Sequence, residues 1–180
     1  MGVTMQGPGI QKLRNMVARL ENPTPILNAV GKESLRLVTK AFEDEKAPSG
    51  VAWKPFRQWR VKTKGGQVSV PTRTGKVLNR TGHLKRSFRY ETSGRRVTVF
   101  TDVFYSPTHQ FGATIRPKKA KLLAFTVGGR WGQKYRMFAK SVQIPARPML
   151  PSGDTVPAAW SWRIRFAIVA AMHAEVARAG

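Results

Sequence analysis

Three histidines, nine acidic residues and no cysteine are what this chain offers for acid–base, metal or nucleophilic chemistry. His83, His109 and His173 stand far apart, and no two share the spacing of a helical metal pair, so no zinc site is expected. Without cysteine there is no thiolate nucleophile and no disulfide. Glu43, Asp44 and Glu45 are consecutive, so their carboxylates leave one helix end in different directions and read as a solvated turn. Asp102 and Asp154 are isolated acids in turn-like settings, suited to caps or ion pairs. General acid–base catalysis needs acids and bases held together, and this spacing gathers none. The run Gly128-Gly129-Arg130-Trp131-Gly132 lacks the Gly-Lys-Ser/Thr ending of a phosphate-cradling loop and reads as a hairpin turn. The expectation is a protein with no catalytic residue, no cofactor and no metal.

What remains is binding chemistry. Trp53, Phe56 and Trp59 sit among Lys54, Arg57 and Arg60. Such a stretch can stack on bases and clamp phosphates. It can equally press on another protein, or staple a loop to its own core while the arginines stay in water. The overall charge asks for an anionic partner: 32 Lys and Arg against 9 Asp and Glu leave a net +23. Residues 54–140 hold 21 of those cations, against Glu91 and Asp102 alone. A field of that size speaks about partners, nucleic acid or an acidic protein surface, rather than about fold. Within it Arg57, Arg60, Lys62, Lys64, Arg73, Lys76, Arg80, Lys85 and Arg86 are candidates for contact with DNA or an acidic partner. No helix-turn-helix or zinc-finger pattern points to base-specific reading. Arg147 stands in a stiff frame between Pro145 and Pro148, and a guanidinium held that way suits a bidentate contact with a carboxylate. That carboxylate can belong to the same chain or to a neighbouring subunit.

These groups need a frame. Ile10, Leu13, Val17 and Leu20 recur at spacings of three and four, an apolar helical stripe over residues 10–20. Asn22-Pro23-Thr24-Pro25 interrupts it, with Thr24 as N-cap and Pro25 as first helical residue of a second helix. That helix should reach about Glu45, with Leu27, Val30, Leu37, Val38, Ala41 and Phe42 inward, and Pro48-Ser49-Gly50 ends it. Residues 54–80 read as a long basic loop or arm, with a turn at 62–66 and at most one short strand around Val68 and Val70. After Thr81, which suits the cap of a single helical turn, the period shortens to two. Phe88 and Tyr90, then Val97 and Val99, flank a turn at Ser93-Gly94. Leu123, Phe125 and Val127 mark a third strand, and residues 137–144 a fourth with Val142 and Ile144 on one face.

Pro145, Pro148, Pro151 and Pro157 make a rigid connector. In residues 158–178, Trp160, Ile164, Ile168, Met172 and Val176 recur every four, and Trp162, Phe166 and Val169 add a second apolar side. A helix of that kind is covered on two sides, one by its own sheet and one by a neighbouring subunit. The sum is one α+β domain over residues 1–180: about a four-stranded, mostly antiparallel sheet packed on long N-terminal helices and a C-terminal helix, with a basic arm at 54–80. Residues 1–6 lack the apolar core of a signal peptide, and the longest apolar run, 166–172, is too short to span a bilayer, so no membrane partner is expected.

Three segments tie these readings to a family. They are Leu78-Asn79-Arg80-Thr81-Gly82-His83-Leu84, Tyr105-Ser106-Pro107-Thr108-His109-Gln110-Phe111-Gly112, and Ile144-Pro145-Ala146-Arg147-Pro148-Met149-Leu150. With Trp53-Lys54-Pro55-Phe56 and the strand Lys121-Leu122-Leu123-Ala124-Phe125, they resemble, in order and over residues 10–175, the tailed-phage virion morphogenesis family. That family includes Mu-like tail-completion and neck proteins. Ser106-Pro107 and Met149-Leu150-Pro151 depart from its commoner residues. The resemblance implies a virion protein of the tail or neck, assembled in the host cytoplasm, which completes the tail and joins it to the DNA-filled head. It implies a ring of identical subunits, six because tail tubes of this class are six-fold, touching tail tube and head connector proteins and open to packaged DNA in the channel. The candidate interface residues are Trp53, Phe56, Trp59, His109, Gln110, Phe111, Arg147, Trp160 and Trp162. A head-side connector or stopper protein and a non-specific DNA-binding protein are the alternatives.

Overall fold

A computed structural model of the chain describes residues 21–63, 66–71, 75–128, 134–153 and 155–178, together with Gln11, Arg14, Asn15, Val17 and Ala18. Those five residues are helical, and the rest of the helix expected over 10–20 lies outside the described residues. Helix α1 runs Thr24–Asp44 with a proline in its first turn. Asn22 Oδ1 accepts the Thr24 N–H at 3.1 Å, so Asn22 rather than Thr24 serves the orphan donors of the first turn. Glu45 adopts left-handed backbone at φ 53 and closes the helix.

Strands β1 (Gln58–Thr63) and β2 (Gly66–Pro71) follow, then the short helix α2 (His83–Arg86), then β3 (Arg89–Ser93) and β4 (Arg96–Phe100). Next come helix α3 (Ser106–Phe111) and strands β5 (Ala113–Ile115), β6 (Leu123–Gly128), β7 (Lys134–Ala139) and β8 (Val142–Ile144). Helix α4 (Ala158–Ala177) comes last. The class is α+β, and each strand pairing is antiparallel. The strands do not merge into one four-stranded sheet. Among the described residues they form four two-stranded ones: β1–β2, β3–β4, β5–β8 and β6–β7. Two features account for the difference. The basic arm is itself a hairpin, with Trp59 opposite Val70 and Thr63 opposite Gly66. The last expected strand breaks at Lys140-Ser141, and its second half crosses to pair with β5, Ala113 opposite Ile144.

The main core gathers Leu37, Val38, Ala41 and Phe42 of α1 with Trp53, Val77, Leu84, Phe88, Met149 and Trp160. Phe42 is fully buried, edge-on to Trp53 at 5.3 Å and to Phe88 at 6.1 Å. Burying a side chain of that size contributes on the order of 1.5–3 kcal/mol. α1 packs on β3–β4 and also on α4. The C-terminal helix therefore leans mainly on α1 and not on the sheet that the sequence suggested. A second, smaller core surrounds Val127, with Trp59, Phe125, Tyr135 and Met137 packed against it. The Trp59 and Phe125 rings meet at 5.0 Å, which joins hairpin β1–β2 to hairpin β6–β7. Among the described residues no helix is long and apolar enough to cross a membrane.

Candidate assembly surfaces

Two of the motif segments and the Trp53 stretch interlock. α3 ends at Gly112, where φ is +76, and a Cβ there would stand 2.9 Å from Ala146 N and 3.0 Å from Ile144 O. Only glycine fits so close a backbone approach. Gln110 then grips the connector after β8. Its Oε1 accepts the Met149 and Leu150 N–H groups at 2.8 and 3.1 Å, and its Nε2 donates to Leu150 O at 2.7 Å. The Arg147 N–H donates to His109 O at 2.7 Å. Trp53 closes the far side, its indole N–H donating to Pro148 O at 2.9 Å.

Arg147 is the pin of this knot. It is 4% exposed. Its Nε donates to Lys54 O at 2.8 Å and its Nη2 to Pro55 O at 3.0 Å, with the Phe56 ring 5.9 Å away. The stiff frame exists, but its fork holds backbone carbonyls of the Trp53 stretch, where a carboxylate was expected. Burial lowers the Arg147 pKa from its ordinary value, yet a guanidinium starts so high that it keeps its charge. A buried cation is more tolerable where its Nε and Nη2 both have acceptors.

The residues on either side of the first motif segment are tied to the end of α1. The acids expected to be solvated there act as a strap. Glu45 accepts the Val77 N–H through its carboxylate. Glu43 accepts from Lys85 Nζ at 2.8 Å through its carboxylate and from Lys76 Nζ at 3.1 Å through its carbonyl. The Lys85 hydrogen bond and charge hold the Glu43 carboxyl below its ordinary range. Asp44 pairs with Lys40 at 3.1 Å. Gly82 sits at φ +68, with Arg86 folded over it and donating to Thr81 O at 2.8 Å. Lys76, Lys85 and Arg86, expected to meet DNA or an acidic partner, are thus engaged within the chain. Arg57 lies 4.3 Å over the Trp59 ring, and Arg57, Arg60 and Arg80 are exposed. Lys62 lies in β1, while Lys64 and Arg73 lie outside the described residues.

The expected interface residues divide. Trp53, Arg147 and Trp160 are buried in the fold. Phe56, Trp59, His109 and Gln110 are half-buried, and His109 sits on α3 with its ring edge-on to Tyr105 at 5.9 Å. Phe111 and Trp162 are exposed, at 71% and 63%. Trp162 heads a line: Trp162, Phe166, Val169 and Met172 follow at steps of four, three and three on α4, all exposed. Those steps place them on one face of the helix. The Trp162 and Phe166 rings stack at 6.3 Å. Beside this line an open cleft of about 400 Å³ lies between the end of α1 and the start of α4, walled by Leu37, Ala41, Ala47, Pro48, Trp160 and Trp162. Phe104, 90% exposed beside the second motif, has no sequence signal beyond its type. Among the described residues no three His, Asp or Glu side chains gather as a metal site.

Helices at either end of the chain, antiparallel pairs between them and motif segments bolted to one another describe a body whose connecting segments are held in place by specific hydrogen bonds. Those loops fall inside a family match: the model of the phage virion morphogenesis family covers residues 10–158. The chain belongs to that family, and its role lies in the structure or assembly of the phage virion. No individual curated protein and no solved structure matches it. The match takes in all three motif segments and stops where α4 begins.

Proposed function

We propose that the protein is a structural component of the phage neck, completing the tail and joining it to the DNA-filled head as a ring of identical subunits. The chemistry is association without turnover, and the partners are further copies of the chain, the tail tube and the head connector. The observation that carries this reading is the exposed stripe Trp162, Phe166, Val169 and Met172. Leaving apolar surface in water forgoes about 25 cal/mol per Å², and a contiguous line of large apolar side chains is a mark of association. In a cyclic ring one surface meets a different surface of the next subunit. α4 supplies the first of these, and the knot of Gln110 and Arg147 keeps the loops rigid enough to repeat the contact. Six subunits match the six-fold symmetry expected of the tail tube.

The test is electron microscopy of particles assembled without this protein. Full heads beside unjoined or over-long tails are expected. Empty or leaking heads would reject tail completion and move the protein to the head side, as a connector or stopper.

A further inference from the structure

Two stretches, separated by residues 91–102, hold no acid at all: residues 46–90 and residues 103–153. The fold brings their strands together, because Trp59 of β1 and Phe125 of β6 share the core around Val127. The acids are spent elsewhere. Glu33 pairs with Arg36, Glu43 with Lys85, Asp44 with Lys40, Asp102 with Arg89 and Glu175 with Arg178. Each of these pairs lies on α1, α2, α4 or the β3–β4 hairpin and its flank. The two-hairpin lobe is left as a cationic surface with no counter-charge of its own.

The side-chain alternation of β6–β7 turns that charge outward. Phe125, Val127, Tyr135 and Met137 face the small core, while Thr126, Lys134 and Arg136 are exposed on the other face, with Thr126 opposite Arg136. Lys121 and Lys140 flank the pair, and Arg60 is exposed on β1. The exposed aromatic there, Phe138, has the Arg136 guanidinium 5.5 Å from its ring centroid. The centre of a protein–protein interface is poor in charge and built on aromatic anchors. This face is cation-rich instead, with Lys134, Arg136 and the flanking Lys121 and Lys140 around the exposed Phe138. We infer that the two-hairpin lobe binds the phosphate backbone of duplex DNA without reading its sequence. Phosphate contacts supply affinity and position but no base discrimination. The inference does not rest on the neck assignment. Purified protein tests it, so its failure and that of the neck assignment are separable.

The experiment titrates the full-length protein with a short random-sequence DNA duplex at several salt concentrations, followed by fluorescence anisotropy. Log K should fall linearly with log salt, at about 0.9 per phosphate neutralised. The fourfold variant Lys121→Gln, Lys134→Gln, Arg136→Gln, Lys140→Gln should flatten that slope by about three to four and weaken binding by at least ~10-fold at low salt. A charge-matched control, Lys32→Gln, Arg95→Gln, Arg96→Gln, Arg165→Gln, should weaken it by less than ~3-fold. Circular dichroism and the thermal midpoint should show both variants folded, since all eight side chains are exposed. Equal losses in the two variants would mean that net charge alone binds DNA and would overturn the assignment. A slope near zero, or poly-glutamate bound as tightly as the duplex, would overturn it as well.

Discussion

Arg147 shows how much one side chain can hold when its partners are backbone. Removing it takes two charged donors from the Lys54 and Pro55 carbonyls and empties the buried site that its own side chain fills. Arg147→Ala should therefore lower folding stability by on the order of 2–4 kcal/mol, read as a shift of the urea midpoint. Arg147→Lys should recover less than half, because an ammonium cannot present the two-pronged fork. Gly112→Ala should cost on the order of 1–3 kcal/mol for a backbone at φ 76, ψ 165 that favours glycine, with the contact to Ala146 N in addition. The prolines around Arg147 made its stiff frame legible in the sequence. Its partners were not, because every residue carries a carbonyl and Lys54 lies 93 positions away. A sequence advertises charged partners, so a carboxylate was the natural expectation. Glu43 shows the same limit from the other side. Its carboxyl is held low by Lys85, so the tie is complete above the ordinary carboxylate pKa and fades as pH falls through the lowered, folded value. Lys85→Met should move the Glu43 titration back up, as read by carboxyl-carbon NMR.

At the scale of elements, the β1–β2 hairpin hangs from Trp59. Trp59→Ala should open the small core by about 2–4 kcal/mol. Amide exchange should rise in β1, β2, β6 and β7 while α1, held by the Phe42 cluster, keeps its protection. Uniform loss of protection would show that the two cores unfold as one. Of this hairpin only β2 was legible, through Val68 and Val70; the alternation Trp59-Arg60-Val61-Lys62 in β1 also reads as an aromatic-interleaved basic arm, and the glycines after it suggest a loop. β5 was missed because a strand three residues long carries almost no period, and β8 was read as the end of one strand with β7. α4 was legible as a helix apolar on two sides, since a period near four survives any context. What covers each side is a tertiary fact: α1 takes Trp160, and Trp162 with Phe166 faces out. The double variant Trp162→Ser, Phe166→Ser should leave the thermal midpoint of the subunit nearly unchanged and abolish higher oligomers in light scattering. Intact oligomers would remove α4 from the proposed subunit contact.

For the molecule as a whole, the net charge of +23 opposes compaction. Self-repulsion among like charges destabilises a folded state, and salt screens it, with a Debye length falling from about 30 Å at 0.01 M to about 10 Å at 0.1 M. The ion pairs pull the other way, because screening weakens them too. Each exposed pair contributes only about 0–1 kcal/mol, and the five named above all lie on the body rather than on the two-hairpin lobe. Repulsion therefore wins in sign: the thermal midpoint should rise as sodium chloride increases over this range. A polyanion should achieve the same rise at far lower ionic strength, because its charges stay together on the lobe and do not dilute into a screening atmosphere. The rise should shrink in the fourfold variant at Lys121, Lys134, Arg136 and Lys140, where the local repulsion has been removed. A midpoint that falls with salt would mean instead that the Glu43–Lys85 strap and its fellow pairs outweigh the lobe's repulsion. The acids around α1 would then be the main electrostatic term in the fold.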